Sequence, residues 1–142
     1  MIAIDTNLLI YAQRRHTPEH RAARRAIERA SADRRGWGIP LACIAEFWCV
    51  VTHPASSGGP SPAKEARGFL HELTANGGAS VWTPGTGFWE RLTQLASDLK
   101  IAGARVFDLQ IALIALENGA TELWSHDRGF GVLPGLVVRD PL

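Results

Sequence analysis

Lysine is nearly missing from this chain, occurring only as Lys64 and Lys100, so positive charge is carried almost entirely by arginine. Net charge is +1, and no global basic field marks a nucleic-acid binder. Charged residues make up 20% and hydrophobic residues 46%, a balance that excludes a disordered chain. No apolar run approaches the roughly 18 residues needed to cross a bilayer. The opening MIAIDTNLLIYAQRR has no leading basic segment and carries an acid inside its short apolar stretch. It does not read as a secretory signal, and the expectation is a cytoplasmic protein. Cysteine is scarce. Cys43 and Cys49 fall in one expected helix, six positions apart on different faces, so they cannot pair there and read as reduced core thiols. No Cys/His spacing fits a zinc site.

What is present is enough for one domain, taken as residues 1–142. Five short apolar runs bounded by turn residues read as strands: Met1–Asp5, Trp37–Pro40, Ser80–Thr83, Thr121–Ser125 and Leu136–Arg139. Segments of helical period lie between them. Thr17-Pro18-Glu19 offers a cap, a first-turn proline and an acid, and the helix after it gathers Ala22, Ala23, Ala26, Ile27 and Ala30 on one face. Arg21, Arg25 and Arg29 line another face of that helix and read as an ordinary exposed stripe. Leu41–Thr52 is apolar almost all round and reads as a buried helix. After the Gly/Pro/Ser loop His53–Pro62, helices are expected from Ser61-Pro62 to Leu73, over Phe88–Leu99 and over Asp108–Asn118, the last stopped by Gly119. Strands alternating with helices imply an α/β fold with a mainly parallel sheet. Sites in such folds lie beyond the carboxyl ends of the strands, which directs attention to Asp5 and Asp127.

Four acids stand where a stability argument would not put them. Asp5 lies between Ile2-Ala3-Ile4 and Leu8-Leu9-Ile10; Glu46 interrupts an apolar helix; Asp108 sits at the mouth of Ile111–Leu116; Asp127 follows Leu123-Trp124-Ser125-His126. A carboxylate among apolar neighbours is paired, protonated or bound to a cation, because burying it alone costs several kcal/mol. Each also has a plain alternative: Asp5 and Asp108 as helix caps, Glu46 meeting an arginine, Asp127 as a turn residue. Should the acids converge, hard oxygen ligands suit Mg²⁺ or Mn²⁺, and such an ion can hold a phosphate oxygen while acidifying a water.

In order and spacing these segments resemble the PIN-domain nucleases, in particular the toxins of VapBC-type toxin–antitoxin pairs. The matching stretches are Met1–Leu9 with Asp5-Thr6-Asn7, Ala45-Glu46-Phe47 followed by Val50-Val51-Thr52-His53-Pro54, Val106-Phe107-Asp108 with Ile111-Ala112, Ser125-His126-Asp127-Arg128-Gly129-Phe130, and Pro134-Gly135-Leu136 through Leu142. Ser125 stands where the family often has Thr, and Gly129 where many members carry a further acid. The resemblance implies a three-layer α/β/α fold around a five-stranded sheet and a Mg²⁺- or Mn²⁺-dependent endoribonuclease. It also implies homodimerisation and inhibition by a small antitoxin.

On that basis Asp5 and Asp108 are the expected metal ligands, with Glu46 and Asp127 completing the catalytic cluster. Thr6, Asn7 and Ser125 are expected to support them. Backbone contacts to RNA need cations, and Arg14, Arg15, Arg105 and Arg128 are the candidates. His126 is a further candidate for touching substrate. Of the tryptophans, Trp37, Trp48, Trp82 and Trp124 read as core, while Trp89 is open to packing or to a partner. Two rivals stand beside this: a phosphatase with an aspartate nucleophile, and a PIN-like scaffold that binds RNA or a partner without cutting. The haloacid-dehalogenase-like pattern wants a second Asp two residues after the first, where this chain has Asn7.

Overall fold

The computed structural model describes residues 1–131 and 133–142. Strands β1 (Ile2–Ile4), β2 (Trp37–Pro40), β3 (Ser80–Trp82), β4 (Glu122–Trp124) and β5 (Val137–Arg139) form one sheet in the order β3-β2-β1-β4-β5. Every neighbouring pair is parallel. The helices are α1 (Thr6–Gln13), α2 (His20–Ser31), α3 (Leu41–Thr52), α4 (Ala63–His71), α5 (Phe88–Asp98) and α6 (Arg105–Glu117), and α4 runs on into a wider π-type turn over Glu72–Asn76.

The topology follows from burial. Ile2, Ala3 and Ile4 are all inaccessible to solvent, as expected of a central parallel strand covered on both faces. Right-handed crossovers then place α1–α4 on one side of the sheet as the chain steps from β1 to β3, and α5 and α6 on the other as it returns to β4. The order reverses between β1 and β4, and the gap at their carboxyl ends is where α/β sheets open a binding crevice. Two glycines matter to this packing. A Cβ on Gly38 would stand 2.4 Å from the Trp82 ring, so β2 and β3 meet only because that position is bare. Gly119, with φ of 88°, ends α6 in the left-handed region.

The expected strands all form, β2 with its expected ends and the other four shortened by one or two residues. The helices hold three corrections. Helix α2 starts at His20 rather than at Pro18, because the Thr17 hydroxyl donates to the Arg14 carbonyl (2.9 Å) instead of capping. Helix α6 starts at Arg105, so Asp108 lies in its first turn and is not its cap. Helix α3 has the expected ends but is not buried all round. Cys43, Phe47 and Val51 face the core, while Leu41, Trp48 and Val50 are exposed. Trp48 is therefore not a core residue and Cys49 not a core thiol, since both lie on the outer face. Trp37 and Trp82 are buried as expected, Trp124 is half-covered by the Arg29 guanidinium 5.7 Å above its ring, and Trp89 is exposed.

Candidate active site

Helix α1 begins directly where β1 ends, and Asp5 is the joint. Its backbone is extended (φ −81°, ψ 159°) and its Oδ1 accepts the Thr6 N–H at 2.7 Å, so it caps the helix. The cap alternative for Asp5 is thus correct, yet it does not exhaust the residue. The other carboxylate oxygen accepts from the Ser125 hydroxyl (2.6 Å) and from Asn7 Nδ2 (2.8 Å). Asn7 Nδ2 also donates to Ser125 Oγ (2.9 Å), and Asn7 Oδ1 accepts the His126 N–H (3.0 Å). Asp127 N–H donates to Ser125 Oγ (3.0 Å). Asn7 and Ser125, read as supporting residues, therefore tie the end of β1 to the end of β4 across the reversal point, while the Thr6 hydroxyl reaches α3 instead.

The remaining acids arrive from separate elements. Glu46, on the exposed side of α3, meets no arginine; its Oε2 accepts from the Thr6 hydroxyl at 2.6 Å. Asp108 is on α6. Asp127 lies in the turn after β4, where its Oδ1 accepts the Gly129 N–H (2.7 Å), so it is a turn residue as well as a site candidate. A Cβ on Gly129 would lie 3.2 Å from that oxygen, so the residue found in place of a family acid leaves room for Asp127 to close this turn.

Asp5, Glu46, Asp108 and Asp127 all line one cleft of about 370 Å³, together with Thr6, Asn7, Ile10, Tyr11 and His126. No lysine or arginine is among these lining residues. The electrostatic consequence is visible in the carboxyls. Burial pushes Asp5 up to about 6, and the nearby charges of Glu46 and Asp108 add to the rise, although the bonds from Ser125 and Thr6 oppose it. Burial raises Asp108 too, with the charges of Asp127 and Glu46 adding to it and Arg105 working against it. Negative charge is thus concentrated with only Arg105 opposing it, which is the condition a bound cation relieves.

The donor set fits a hard divalent cation with a qualification in geometry. Among the described residues no three of His, Cys, Asp and Glu stand close enough to enclose an ion by themselves. An ion here would be held by one or two carboxylates and complete its shell with water, the manner in which Mg²⁺ is ordinarily bound.

Arg15, Arg105 and Arg128 are exposed. Arg14 is not: it is buried, and its guanidinium donates to the carbonyls of Val51 (2.9 Å) and Gly59 (3.0 Å), to the Ser57 carbonyl and to the Ser56 hydroxyl (2.6 Å). It fastens the 51–59 segment to the end of α1, and its expected RNA contact is corrected to a structural role. Two contributors were missed from sequence. Tyr11 lines the cleft one helical turn beyond Asn7 on the same face of α1, a spacing that could have flagged it. Asp140 holds the His126 ring through Nδ1 at 2.9 Å from 14 residues away, and no local pattern signals that pair.

A family model described as the PIN domain matches residues 2–136. The chain belongs to the PIN-domain family. Among PIN-domain proteins it is 37% identical to ribonuclease VapC43 of Mycobacterium tuberculosis, over the whole of this chain and 96% of that one. The fold is similar to that of VapC20 from M. tuberculosis, described as a sarcin–ricin-loop-cleaving toxin, with a TM-score of 0.69 at 12% identity over 92% of each chain. It is likewise similar to VapBC2 from Rickettsia felis, solved bound to a promoter DNA fragment, with a TM-score of 0.66 at 19% identity over 98% of each chain. The three-layer fold with a parallel five-stranded sheet is therefore that of VapC-type PIN domains.

Proposed function

We propose that this PIN domain is the toxin ribonuclease of a VapBC-type toxin–antitoxin pair, cutting RNA in the acidic cleft with a divalent cation, Mg²⁺ or Mn²⁺. One observation carries the site: four carboxylates from four separate segments converge on one cleft whose lining holds no lysine or arginine. Relatives named ribonucleases that match 96% or more of this chain support the activity. A bound divalent cation supplies the positive charge that a phosphodiester needs during hydrolysis and acidifies water.

The chain's own groups do the positioning. Asp5 and Asp108, whose carboxyls are raised in the free protein, are the ligands. Ser125 and Asn7 fix the Asp5 carboxylate, leaving its orientation no freedom. Thr6 fixes Glu46 in the same way, so Glu46 and Asp127 are set to receive a proton from, or orient, the attacking water. The exposed Arg15, Arg105 and Arg128 offer phosphate contacts at the surface around the cleft. A small antitoxin covering the acids, and homodimerisation, complete the reading.

The test is cleavage of a total small-RNA pool in Mg²⁺, Mn²⁺ or EDTA. Discrete fragments that require metal are expected. Asp5→Asn and Asp108→Asn each lower the rate by about 100-fold or more while the fold is retained, and Ser125→Ala by about 10–100-fold. A folded wild-type protein that cuts nothing in either metal turns the assignment to a non-catalytic scaffold.

A further inference from the structure

A polyanion gains nothing from the acidic cleft except through the cation, so the affinity for RNA has to come from elsewhere on the surface. A basic groove of about 690 Å³ lies where the end of α1, the start of α2 and α4 meet. Arg15, Arg21, Arg24 and His20 line it against one acid, Glu65, with Phe69 as an apolar wall. All three arginines are exposed, and among the described residues none is engaged in an ion pair or a side-chain hydrogen bond. Several other guanidiniums are committed: Arg35 to Asp33 and Glu122, Arg91 to Glu117, Arg139 to Glu122, Arg14 to the 51–59 segment. Among the described residues Arg25, Arg34, Arg67, Arg105 and Arg128 are uncommitted too, but none of them lines this groove. The stripe suggested by sequence spacing, Arg21/Arg25/Arg29, is not the set that shares this groove. Arg25 does not line it, and Arg29 turns to the Pro141 carbonyl and the Trp124 ring.

Helix α1 joins the two concavities. Thr6, Asn7, Ile10 and Tyr11 face the acidic cleft, while Ala12, Gln13 and the following Arg15 face the groove. Tyr11 lies in the last turn of α1 and Arg15 just past its end, four residues further along the chain. A strand leaving the cleft along α1 therefore enters the groove within a few nucleotides.

We infer that this groove is a second RNA-binding site, in which Arg15, Arg21 and Arg24 hold backbone phosphates of the strand whose scissile bond lies in the acidic cleft. The inference rests on the ribonuclease reading and adds to it where the substrate runs. It assigns the groove to sugar–phosphate backbone rather than to bases, since guanidiniums without a fixed hydrogen-bonding framework read charge and not sequence.

Binding of a 12-nucleotide single-stranded RNA, followed against salt in Mg²⁺ on the Asp5→Asn background, tests it. Arg21→Gln/Arg24→Gln is compared with Arg25→Gln/Arg34→Gln, a pair of equal charge loss at exposed positions outside the groove. Removing two phosphate contacts lowers the slope of log K against log salt by about 1.4 and weakens binding at 50 mM salt by roughly tenfold or more. The control pair leaves the slope near that of the parent. All four positions are exposed, so both variants keep the parent's melting temperature, which is measured alongside. Equal slopes for the two pairs overturn the inference. So does an unchanged RNA slope together with lost binding of the antitoxin, which would give the groove to an acidic protein segment. Failure of the ribonuclease reading is seen separately, as absence of RNA cleavage by the wild type.

Discussion

Asp5 meets two opposed demands. It is only 4% exposed, among Ile4, Leu8 and Leu9, yet it must present a charged carboxylate to the cleft. Burial holds its carboxyl at about 6 in the folded chain against an ordinary 3.8. The folded state therefore binds the proton more tightly than the unfolded state, and ionisation opposes folding. At 1.36 kcal/mol per pH unit the cost is about 3 kcal/mol, fully present above pH 6 and removed as pH falls toward 4. Metal-free protein is accordingly expected to gain stability from pH 7 to pH 5, and Asp5→Asn to lose most of that gain. Urea unfolding of both proteins at the two pH values decides it; parallel pH dependences would remove the assignment. Arg14 is the opposite kind of residue, charged and buried, with its two terminal nitrogens bonded to acceptors in the segment it fastens and only Nε left without a partner. Arg14→Ala leaves those acceptors unpaired and is expected to cost about 2–4 kcal/mol. It should leave the salt dependence of RNA binding unchanged, which separates it from the groove arginines.

Helix α3 shows how one element serves two faces. Its apolar composition gives no direction, but the 3.6-residue period places Cys43, Phe47 and Val51 inward and leaves Glu46 beside Thr6 at the cleft. Phe47 is inaccessible and stacks on Phe69 with 5.5 Å between ring centroids, whereas Trp48, one position on, is 40% exposed. Thermal or chemical unfolding is therefore expected to show a loss of about 3–5 kcal/mol for Phe47→Ala. For Trp48→Ala the change in the monomer should be within about 1 kcal/mol. Similar losses at both positions would mean that the outer face of α3 is covered. Helices α1 and α6 act as carriers: the first supplies Thr6, Asn7 and Tyr11 on one face, and the second brings Asp108 to the same opening through a largely buried body.

On the scale of the whole molecule, charge is separated. Residues 14–35 hold eight arginines against three acids, a local excess of five in a chain whose net charge is +1, so the remainder is net negative. The fold sets the basic groove and the acidic cleft on either side of α1, the separation on which the proposed path of the RNA strand rests. Ligand linkage follows from the same arrangement. On the proposed function, a divalent cation held at the cleft would bind the folded state alone, so Mg²⁺ at 100 times its dissociation constant is expected to stabilise the protein by about 2.7 kcal/mol. A melting temperature that rises with Mg²⁺ in the wild type, and not in an Asp5→Asn/Asp108→Asn protein, is the expected result of a thermal scan; equal responses would place the ion elsewhere.

Strand positions, the parallel sheet and the four acids were legible in the sequence because each depends on local pattern. Short apolar runs bounded by turns make strands, and an acid set among apolar neighbours is conspicuous wherever it lies. The spacing of those acids also carried the resemblance to PIN-domain nucleases. Start points of α2 and α6 were not legible, because the Thr17 hydroxyl found a carbonyl instead of a cap and Arg105 joined a helix that composition alone would begin later. The outward face of α3, the buried Arg14 and the Asp140–His126 pair were equally hidden, since each depends on what packs opposite. Sequence by itself determined which chemistry the chain carries. Only the tertiary structure decided which charges meet: the reversal of strand order between β1 and β4 brings Asp5 to Ser125 across 120 residues, and burial at that joint, not composition, sets how tightly its carboxyl holds a proton.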